Sequence, residues 1–537
     1  MTKSEKRGIL YTMEKLSERK RKRVERKLNK ERTYKLFLYN RLLIYALAVL
    51  AQLIGYGLLL VLFVYNSAYA TALQIVVGAL ALIFVLVIVN DHEKPSMKLS
   101  WIIVILVAPV FGVPMYILLG RGRPTRKMAK KFSRAMDANK QALLDFYGER
   151  KPVSEKGSVS SYLERVANYP PYFGGDITYY KSGEDIFPTI KEALLQAEKF
   201  ILLEYFIIAP GRMWKEILQI LVEKAMQGVK IRIIYDDFGC MVSLPPKYEN
   251  YLENLHENIK CMKFNFVVPF FVARMNNRDH RKMIVIDGKV AFTGGFNLAD
   301  EYINEKRRFG YWKDSGLKIT GNSVNAFTQM FFNTFNAFHK DKEDIKDFLL
   351  PMQKGEGALI QPYDDSPLDA IRTGESVYTD LINKAEKYVY IFTPYLVLDD
   401  FMRSALCSAS LRGVDVRIVT PGIPDKKTTY RLTRANYGVL IKAGVKIYEY
   451  TPGFIHSKSM LCDGKRAVVG TINLDYRSLY HHFENAVYFE DENALNALKA
   501  DCEETFTLST ERTKENTKRG VIGRFIDAIL RVFETLM

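Results

Sequence analysis

Ten residues that carry or support polar chemistry fall into two copies of one spacing pattern. The pattern is H-x-K-x4-D-x6-G-x2-N, and its members are His280, Lys282, Asp287, Gly294 and Asn297 in the first copy and His456, Lys458, Asp463, Gly470 and Asn473 in the second. Five fixed positions at a usage of about 5% each match by chance in roughly one chain in several thousand. A second copy with unchanged spacing therefore indicates a duplicated functional unit.

The first two residues of each copy predict a site for phosphoryl transfer. Residues i and i+2 of a strand face the same side, so His280 and Lys282 point together, as do His456 and Lys458. Fixed cations stabilise the charge on a transferring phosphoryl group, and this chemistry requires neither a metal nor another cofactor. One imidazole can attack phosphorus to form a covalent intermediate while the other protonates the leaving alkoxide.

The remaining polar residues of the pattern have two possible roles. Asn297 and Asn473 are expected to donate amide hydrogen bonds to the same phosphate oxygens. Asp287 and Asp463 belong to the candidate catalytic set, yet each can equally be structural and anchor the turn after its strand. The sequence leaves these two roles for the aspartates open.

The repeat extends beyond the motifs and predicts two similar α/β lobes. In each lobe a strand (200–208; 388–392) precedes an amphipathic helix (214–227; 401–412), and the motif forms a later strand pair (283–286 with 290–293; 459–462 with 467–469). The predicted lobes are residues 176–350 and 358–515, separated by a segment containing proline and glycine. A duplicated unit favours a pseudo-twofold arrangement, with the active site where the two motifs meet.

The residues before the lobes predict attachment to a membrane. The chain has 537 residues and a net charge of +17, and its basic arm, residues 1–41, has fifteen Lys or Arg against five Glu. Residues 42–120 contain three apolar stretches, 42–65, 70–89 and 101–119, and a basic linker, 121–175, follows. Basic flanks on both sides favour two spanning transmembrane helices, with the third, proline-broken stretch re-entrant or interfacial.

The C-terminal residues and the cysteines of the chain give two further predictions. Residues 516–537 predict an amphipathic helix that either packs on the lobes or lies in the membrane interface, the second being favoured. Five scattered cysteines without a metal-binding spacing indicate reduced thiols. The predicted location is the cell membrane, multi-pass, with the catalytic lobes in the cytoplasm.

The motifs resemble those of the phospholipase D superfamily, and their surroundings resemble those of bacterial cardiolipin synthases. The similarity is carried by residues 278–282, 294–297 and 300–302 around the first motif and by 453–458, 473–478 and 483–484 around the second. It covers about residues 75–515. The resemblance implies transfer of a phosphatidyl group from one phosphatidylglycerol to another, releasing glycerol. It also implies anionic membrane lipids as partners, while the oligomeric state stays open.

The resemblance also implies roles for individual residues. By analogy His280 is the nucleophile and His456 the general acid and then base, although the symmetry of the sequence permits the reverse order. Lys282 and Lys458 would bind phosphate. In the superfamily a downstream carboxylate orients each histidine, and Asp314 after His280 and Glu484 after His456 fit that role.

Three alternatives use the same sequence features. A hydrolase would pass the phosphatidyl group to water and give phosphatidic acid. A nucleic-acid phosphodiesterase is disfavoured by the membrane segments and by the lack of an evident basic channel with stacking residues, so no nucleic acid is expected as a partner. A non-catalytic lipid-binding scaffold is disfavoured by the intact histidines and lysines of both motifs.

Overall fold

The computed structural model describes residues 67–120, 126–149, 152–267, 275–368, 371–517 and 520–536, and isolated positions between 50 and 61. The predicted basic arm and nearly all of the first apolar stretch lie outside these residues. The first lobe contains a seven-stranded mixed sheet in the order β1-β8-β6-β5-β2-β3-β4. Its strands are β1 (Ile177–Tyr180), β2 (Phe200–Tyr205), β3 (Lys230–Asp236), β4 (Ile259–Phe264), β5 (Lys282–Ile286), β6 (Val290–Gly294) and β8 (Gly316–Thr320), while β7 (Tyr311–Lys313) lies outside this sheet.

The second lobe repeats this sheet with one added edge strand. Its order is β17-β12-β11-β10-β14-β15-β16-β9. The strands are β9 (Ile360–Asp365), β10 (Tyr388–Phe392), β11 (Asp415–Pro421), β12 (Lys446–Tyr450), β14 (Ser459–Cys462), β15 (Arg466–Gly470), β16 (Glu484–Phe489) and β17 (Ser509–Arg512), while β13 (Gly453–Ile455) lies outside it. In reverse, from β9 to β12, the order matches the first sheet strand for strand. The predicted duplication into two α/β lobes is therefore confirmed.

Helices cover both sheets, and the apolar strands between them form the core. Those of the lobes are α6 (Gly183–Leu195), α7 (Arg212–Met226), α8 (Tyr248–Glu253), α9 (Val324–Phe338), α10 (Thr373–Lys384), α11 (Asp400–Leu411), α12 (Lys427–Lys442), α13 (Tyr476–Tyr480) and α14 (Glu492–Thr507). One cluster of buried side chains continues from the first lobe into the second. The lobes consequently share a core.

The segment predicted as a basic linker contains two helices that pack on the lobes, α4 (Arg126–Tyr147) and α5 (Val159–Arg165). Phe132 of α4 stacks on Phe338 of α9, and the side chain of Asn139 donates a hydrogen bond to Asn333. The exposed face of α4 carries the basic residues that suggested a linker. This segment is therefore an integral part of the fold.

Short contacts between the lobes are reciprocal. Strand β7 pairs in parallel with β13 of the other lobe. The backbone N–H of His456 donates to the carbonyl of Lys313, and the backbone N–H of His280 donates to the carbonyl of Phe483. Equivalent residues exchange equivalent bonds, which is the pattern of an isologous contact within one chain.

Residues 67–120 form three helices, α1 (Ser67–Asn90), α2 (Pro95–Val107) and α3 (Pro109–Met115), and a π-helical turn follows the last of them. Gly112 of α3 lies against the backbone of Ile105, and Tyr116 packs edge-on against Trp101, so the chain folds back on itself after Ala108. The predicted break in the third apolar stretch is thus a helical hairpin. Among the fully described residues, we find no helix with both the length and the apolarity needed to cross a bilayer.

The C-terminal helix α15 (Val521–Val532) packs on the second lobe through its polar side. Asp527 is buried and forms an ion pair with Arg431 of α12 at 2.7 Å. The opposite face leaves Val521, Ile522 and Phe525 exposed. Both predicted alternatives thus have a counterpart in the helix: one side packs on the lobe, and an apolar stripe faces outward.

Candidate active site

The two motifs meet at the contact between the lobes. His280 and Lys282 lie at the start of β5, and His456 and Lys458 lie just before β14. All four side chains are buried. The structure therefore brings the two imidazole–ammonium pairs into one site, as the sequence pattern predicts.

Each histidine is bonded to the carboxylate of the opposite lobe. His280 Nδ1 lies 2.9 Å from both carboxylate oxygens of Glu484. His456 Nδ1 lies 2.7 Å from Oδ2 of Asp314. The pairing within each lobe, which followed from chain order, is wrong. Strand β7 ends and strand β16 begins beside the motif of the other lobe, so each carboxylate reaches across the contact between the lobes.

Burial keeps both imidazoles neutral at physiological pH. It lowers the pKa of His280 well below its usual value, against the opposing charge of Glu484. It lowers the pKa of His456 to about 4, and the charge of Lys458 lowers it further. The partner histidine holds the pKa of Asp314, and likewise that of Glu484, below the usual range although burial acts in the other direction. Because an ionised carboxylate only accepts, each Nδ1 carries the hydrogen and each Nε2 presents a lone pair.

The two lysines share a backbone contact and a lowered pKa. Lys282 Nζ donates to the carbonyl of His280 at 2.6 Å, and Lys458 Nζ donates to the carbonyl of His456. An ammonium has three N–H donors, so each retains two for a ligand. Burial lowers the pKa of Lys282 to about 8 and that of Lys458 to about 7. An arriving phosphate anion would favour the charged form of both.

Asp287 and Asp463 hold the strands together and lie at the far end of their own strands from the histidines. Asp287 accepts backbone N–H bonds from residues 198–200 at 2.7–2.8 Å. Asp463 accepts the equivalent bonds from residues 386–388 at 2.7–3.0 Å. Each has a φ of 54° and precedes a glycine with positive φ, which fits a tight turn. The assignment of both aspartates as catalytic is corrected to the structural alternative.

The two asparagines are engaged within their own lobes. Asn297 donates to the hydroxyl of Tyr302 at 2.6 Å and accepts from the backbone N–H of Ile207. Asn473 donates to Asp475 at 3.2 Å. A carboxamide has two N–H groups, so each side chain keeps one donor that a phosphate oxygen could use. Their role as phosphate ligands stays a prediction.

The residue after the motif glycine differs between the lobes for a steric reason. A Cβ at Gly295 would lie 2.0 Å from Asp314 Oδ1, so a side chain there would displace the carboxylate that holds His456. The equivalent Thr471 fits, and its hydroxyl donates to Glu484. Asp314 accepts instead from the backbone N–H of Ser315. Gly295 of the first motif thus leaves the space that the Asp314 carboxylate needs in order to hold His456.

Aromatic and imidazole rings wall the site, and the sequence analysis overlooked them. Tyr302 and Trp312 lie 5.4 and 5.5 Å from His456, measured between ring centroids. Phe206 and His482 lie 5.1 and 5.4 Å from His280. The sequence signal that could have identified two of these rings is their spacing. Trp312 and His482 each stand two residues before a carboxylate that orients a histidine.

One group of side chains in the described residues could also hold a metal ion. Potential ligand atoms of His280, His482 and Glu484 lie within 4.8 Å of one another. Two of these residues already form the histidine–carboxylate pair of the site. Chemistry without a metal ion therefore stays a prediction.

Comparisons with known proteins agree with this architecture. A family model described as "Cardiolipin synthase, PLD-like domain" matches residues 190–330 and 378–506, and one described as "Phospholipase_D-nuclease N-terminal" matches residues 79–121. A cardiolipin synthase of Alkalihalophilus pseudofirmus is 32% identical over 79% of this chain and 86% of its own length. An uncharacterized protein of Streptococcus mutans is 42% identical over 84% of this chain and 99% of its own.

A solved structure shows the same fold at low sequence identity. The phosphatidylserine synthase of Haemophilus influenzae aligns with a TM-score of 0.55 and 13% identity, over 72% of this chain and all of that one. The fold and the paired motifs define a phospholipase D-like protein. The chain belongs to the cardiolipin synthase family of that superfamily, whose members are phospholipid phosphatidyltransferases.

Proposed function

We propose that the protein is a cardiolipin synthase that transfers the phosphatidyl group of one phosphatidylglycerol to a hydroxyl of a second. The observation that carries this proposal is the pair of histidine–carboxylate and lysine groups joined from both lobes, in a chain belonging to this family. A single phosphodiester between the two imidazoles has a nucleophile on one side and a proton donor on the other.

The proposed reaction has two steps that mirror each other. Nε2 of one histidine attacks phosphorus, and the bond from phosphorus to the glycerol oxygen breaks. The other histidine takes up a proton on Nε2 when the phosphodiester anion binds beside it, and it gives this proton to the leaving glycerol oxygen. A second phosphatidylglycerol then gives its hydroxyl proton to the same acid–base histidine, its oxygen attacks phosphorus, and the bond from phosphorus to nitrogen breaks. Lys282 and Lys458 stabilise the charge on the non-bridging oxygens in both steps.

The deciding experiment uses purified protein and phosphatidylglycerol in detergent micelles, with EDTA and no added divalent ion. The proposal requires cardiolipin and an equal amount of glycerol. Phosphatidic acid in place of cardiolipin would establish the hydrolase alternative, because water would then be the acceptor. Loss of all activity in EDTA, restored by a divalent ion, would overturn the metal-independent mechanism.

We further place the working enzyme at a membrane surface, with membrane helices before the lobes and the lobes in the cytoplasm. This assignment is supported by apolar side chains that point outward on α1, α2 and α15, because exposed apolar patches of this extent mark membrane or partner contacts. Lys94, next to α2, forms ion pairs with Glu375 and Asp399 of the second lobe at 2.6 and 3.3 Å. These contacts fix the first helices to the catalytic part.

A further inference from the structure

The two halves of the site differ at one equivalent position. Trp312 and His482 each stand two residues before an orienting carboxylate, and each lies beside the motif histidine of the other lobe. An indole therefore borders His456 where an imidazole borders His280. The fold is duplicated, but the chemistry beside the two histidines is not.

The His482 side chain is buried without a complete set of partners. Its exposed fraction is 9%. Its Nδ1 lies 3.5 Å from Oε1 of Glu484, and neither ring nitrogen has a hydrogen-bond partner among the described residues. A buried polar atom without a partner is destabilising, and at a functional site it indicates a missing ligand.

The surroundings of the two motif histidines point to different parts of a lipid. Phe454, Tyr302 and Trp312 give the His456 side an aromatic wall. Phe206 also borders His280, but Asp475 and Arg477 are close enough to His482 to influence its charge, which makes the His280 side the more polar of the two. Polar side chains suit a polyol headgroup, and aromatic rings suit apolar groups.

We propose that His482 binds a hydroxyl group of the glycerol headgroup and thereby favours a polyol over other acceptors. This inference rests on the proposed phosphatidyl transfer and names the residue that selects its acceptor. It makes His280 the acid–base histidine and His456 the nucleophile, the reverse of the order that the family resemblance implies, because the headgroup leaves and enters opposite the attacking nitrogen. A neutral imidazole has one donor and one acceptor nitrogen, and both nitrogens of His482 are buried without a hydrogen-bond partner among the described residues. A hydroxyl also both donates and accepts, which makes it a better match to this ring than a phosphate anion.

The test compares two water-soluble acceptors, isotopically labelled glycerol and labelled propan-1-ol, by the label that the full-length protein incorporates into lipid during phosphatidyl transfer from phosphatidylglycerol. The measured quantity is the ratio of kcat/KM for glycerol to kcat/KM for propan-1-ol. The loss of one hydrogen bond between uncharged groups should lower this ratio roughly fivefold to tenfold in His482→Phe. His482→Gln, whose amide can donate and accept, should restore part of it.

Trp312→Phe is the matched control, because it changes the equivalent ring of the other half-site, whose indole Nε1 is also buried without a hydrogen-bond partner among the described residues. It should change transfer to both alcohols by a similar factor and leave the ratio intact. An unchanged ratio in His482→Phe, with thermal unfolding like that of the parent protein, would overturn the assignment. A parent protein that transfers to no acceptor would instead refute the proposed function itself, so the two failures are distinguishable.

Discussion

Each histidine of the site depends on a carboxylate that the other half of the chain supplies. The bond from His456 to Asp314 and the bond from His280 to Glu484 both cross the lobe contact. Such a partner fixes the tautomer and stabilises the imidazolium that forms during proton transfer. Neither lobe alone can therefore hold a correctly oriented histidine.

Double variants test this crossed pairing with an activated substrate, a lipid p-nitrophenyl phosphodiester, whose leaving group needs little protonation. In a His456→Ala background, Asp314→Asn should leave the residual rate unchanged, because Asp314 acts only through His456. Glu484→Gln in the same background should lower the rate further, by up to about a thousandfold, since it disables His280. If Asp314→Asn lowered the residual rate and Glu484→Gln left it unchanged, each carboxylate would instead act on the histidine of its own lobe.

The two lysines predict a loss of activity at alkaline pH. A lysine is charged below its pKa, and the pKa of Lys458 is about 7 and that of Lys282 about 8. The value of kcat/KM for phosphatidylglycerol should therefore fall as the pH rises from 7 to 9. Lys458→Arg should move this fall toward the pKa of Lys282, because a guanidinium stays charged. A profile of kcat/KM that is flat up to pH 9 would contradict these roles.

At the scale of single elements, the turn after each motif strand is bonded to the start of the neighbouring strand in the sheet and fixes its position. The carboxylate of Asp287 gathers three backbone N–H groups at the beginning of β2, and Asp463 does the same for β10. Asp287 is buried, whereas Asp463 is only partly buried. The two positions form a natural pair for comparing stability.

Asp287→Ala should lower the free energy of unfolding by about 2–4 kcal/mol, because it leaves buried N–H groups without an acceptor. Asp463→Ala should lower it by less, since water reaches that carboxylate. Chemical denaturation measures both effects, and kcat per folded molecule should stay close to that of the parent protein. A stable Asp287→Ala protein that has lost its kcat would return this residue to the catalytic set.

Sequence reasoning succeeded at this scale where a local rule applied. The two-residue period of a strand placed His280 beside Lys282, and the repeat placed the two lobes. It failed for Asp314 and Glu484, because chain order carries no information on which lobe a strand end reaches. His482 was missed because its importance lies in being the counterpart of Trp312, and this relation is visible only once Asp314 and Glu484 are known to hold equivalent places.

At the scale of the whole molecule, α15 is oriented with its apolar stripe away from the protein. Arg431 holds its polar side through Asp527 and through the carbonyl of Gly523. A helix with its polar face on the protein and its apolar face outward fits a membrane surface. The lobes would then face the lipid layer from which they draw both substrates.

Tryptophan fluorescence tests this orientation in vesicles that contain lipids brominated on the acyl chains. Phe525→Trp places the probe on the stripe, and Arg524→Trp places it at an exposed position of the same helix about 100° away, off the stripe. Additional quenching is expected for the probe at position 525 and not for the one at 524. Equal quenching at the two positions would exclude the proposed orientation.

The measurement closest to the central claim counts the covalent intermediates. Protein denatured by acid during turnover of phosphatidylglycerol labelled at phosphorus should retain at most one phosphatidyl group per chain, because both lobes build a single site. The label should be absent when the attacking histidine, which is His280 or His456, is replaced by alanine. Two labelled groups on one chain, one on each histidine, would show that the lobes work as separate sites.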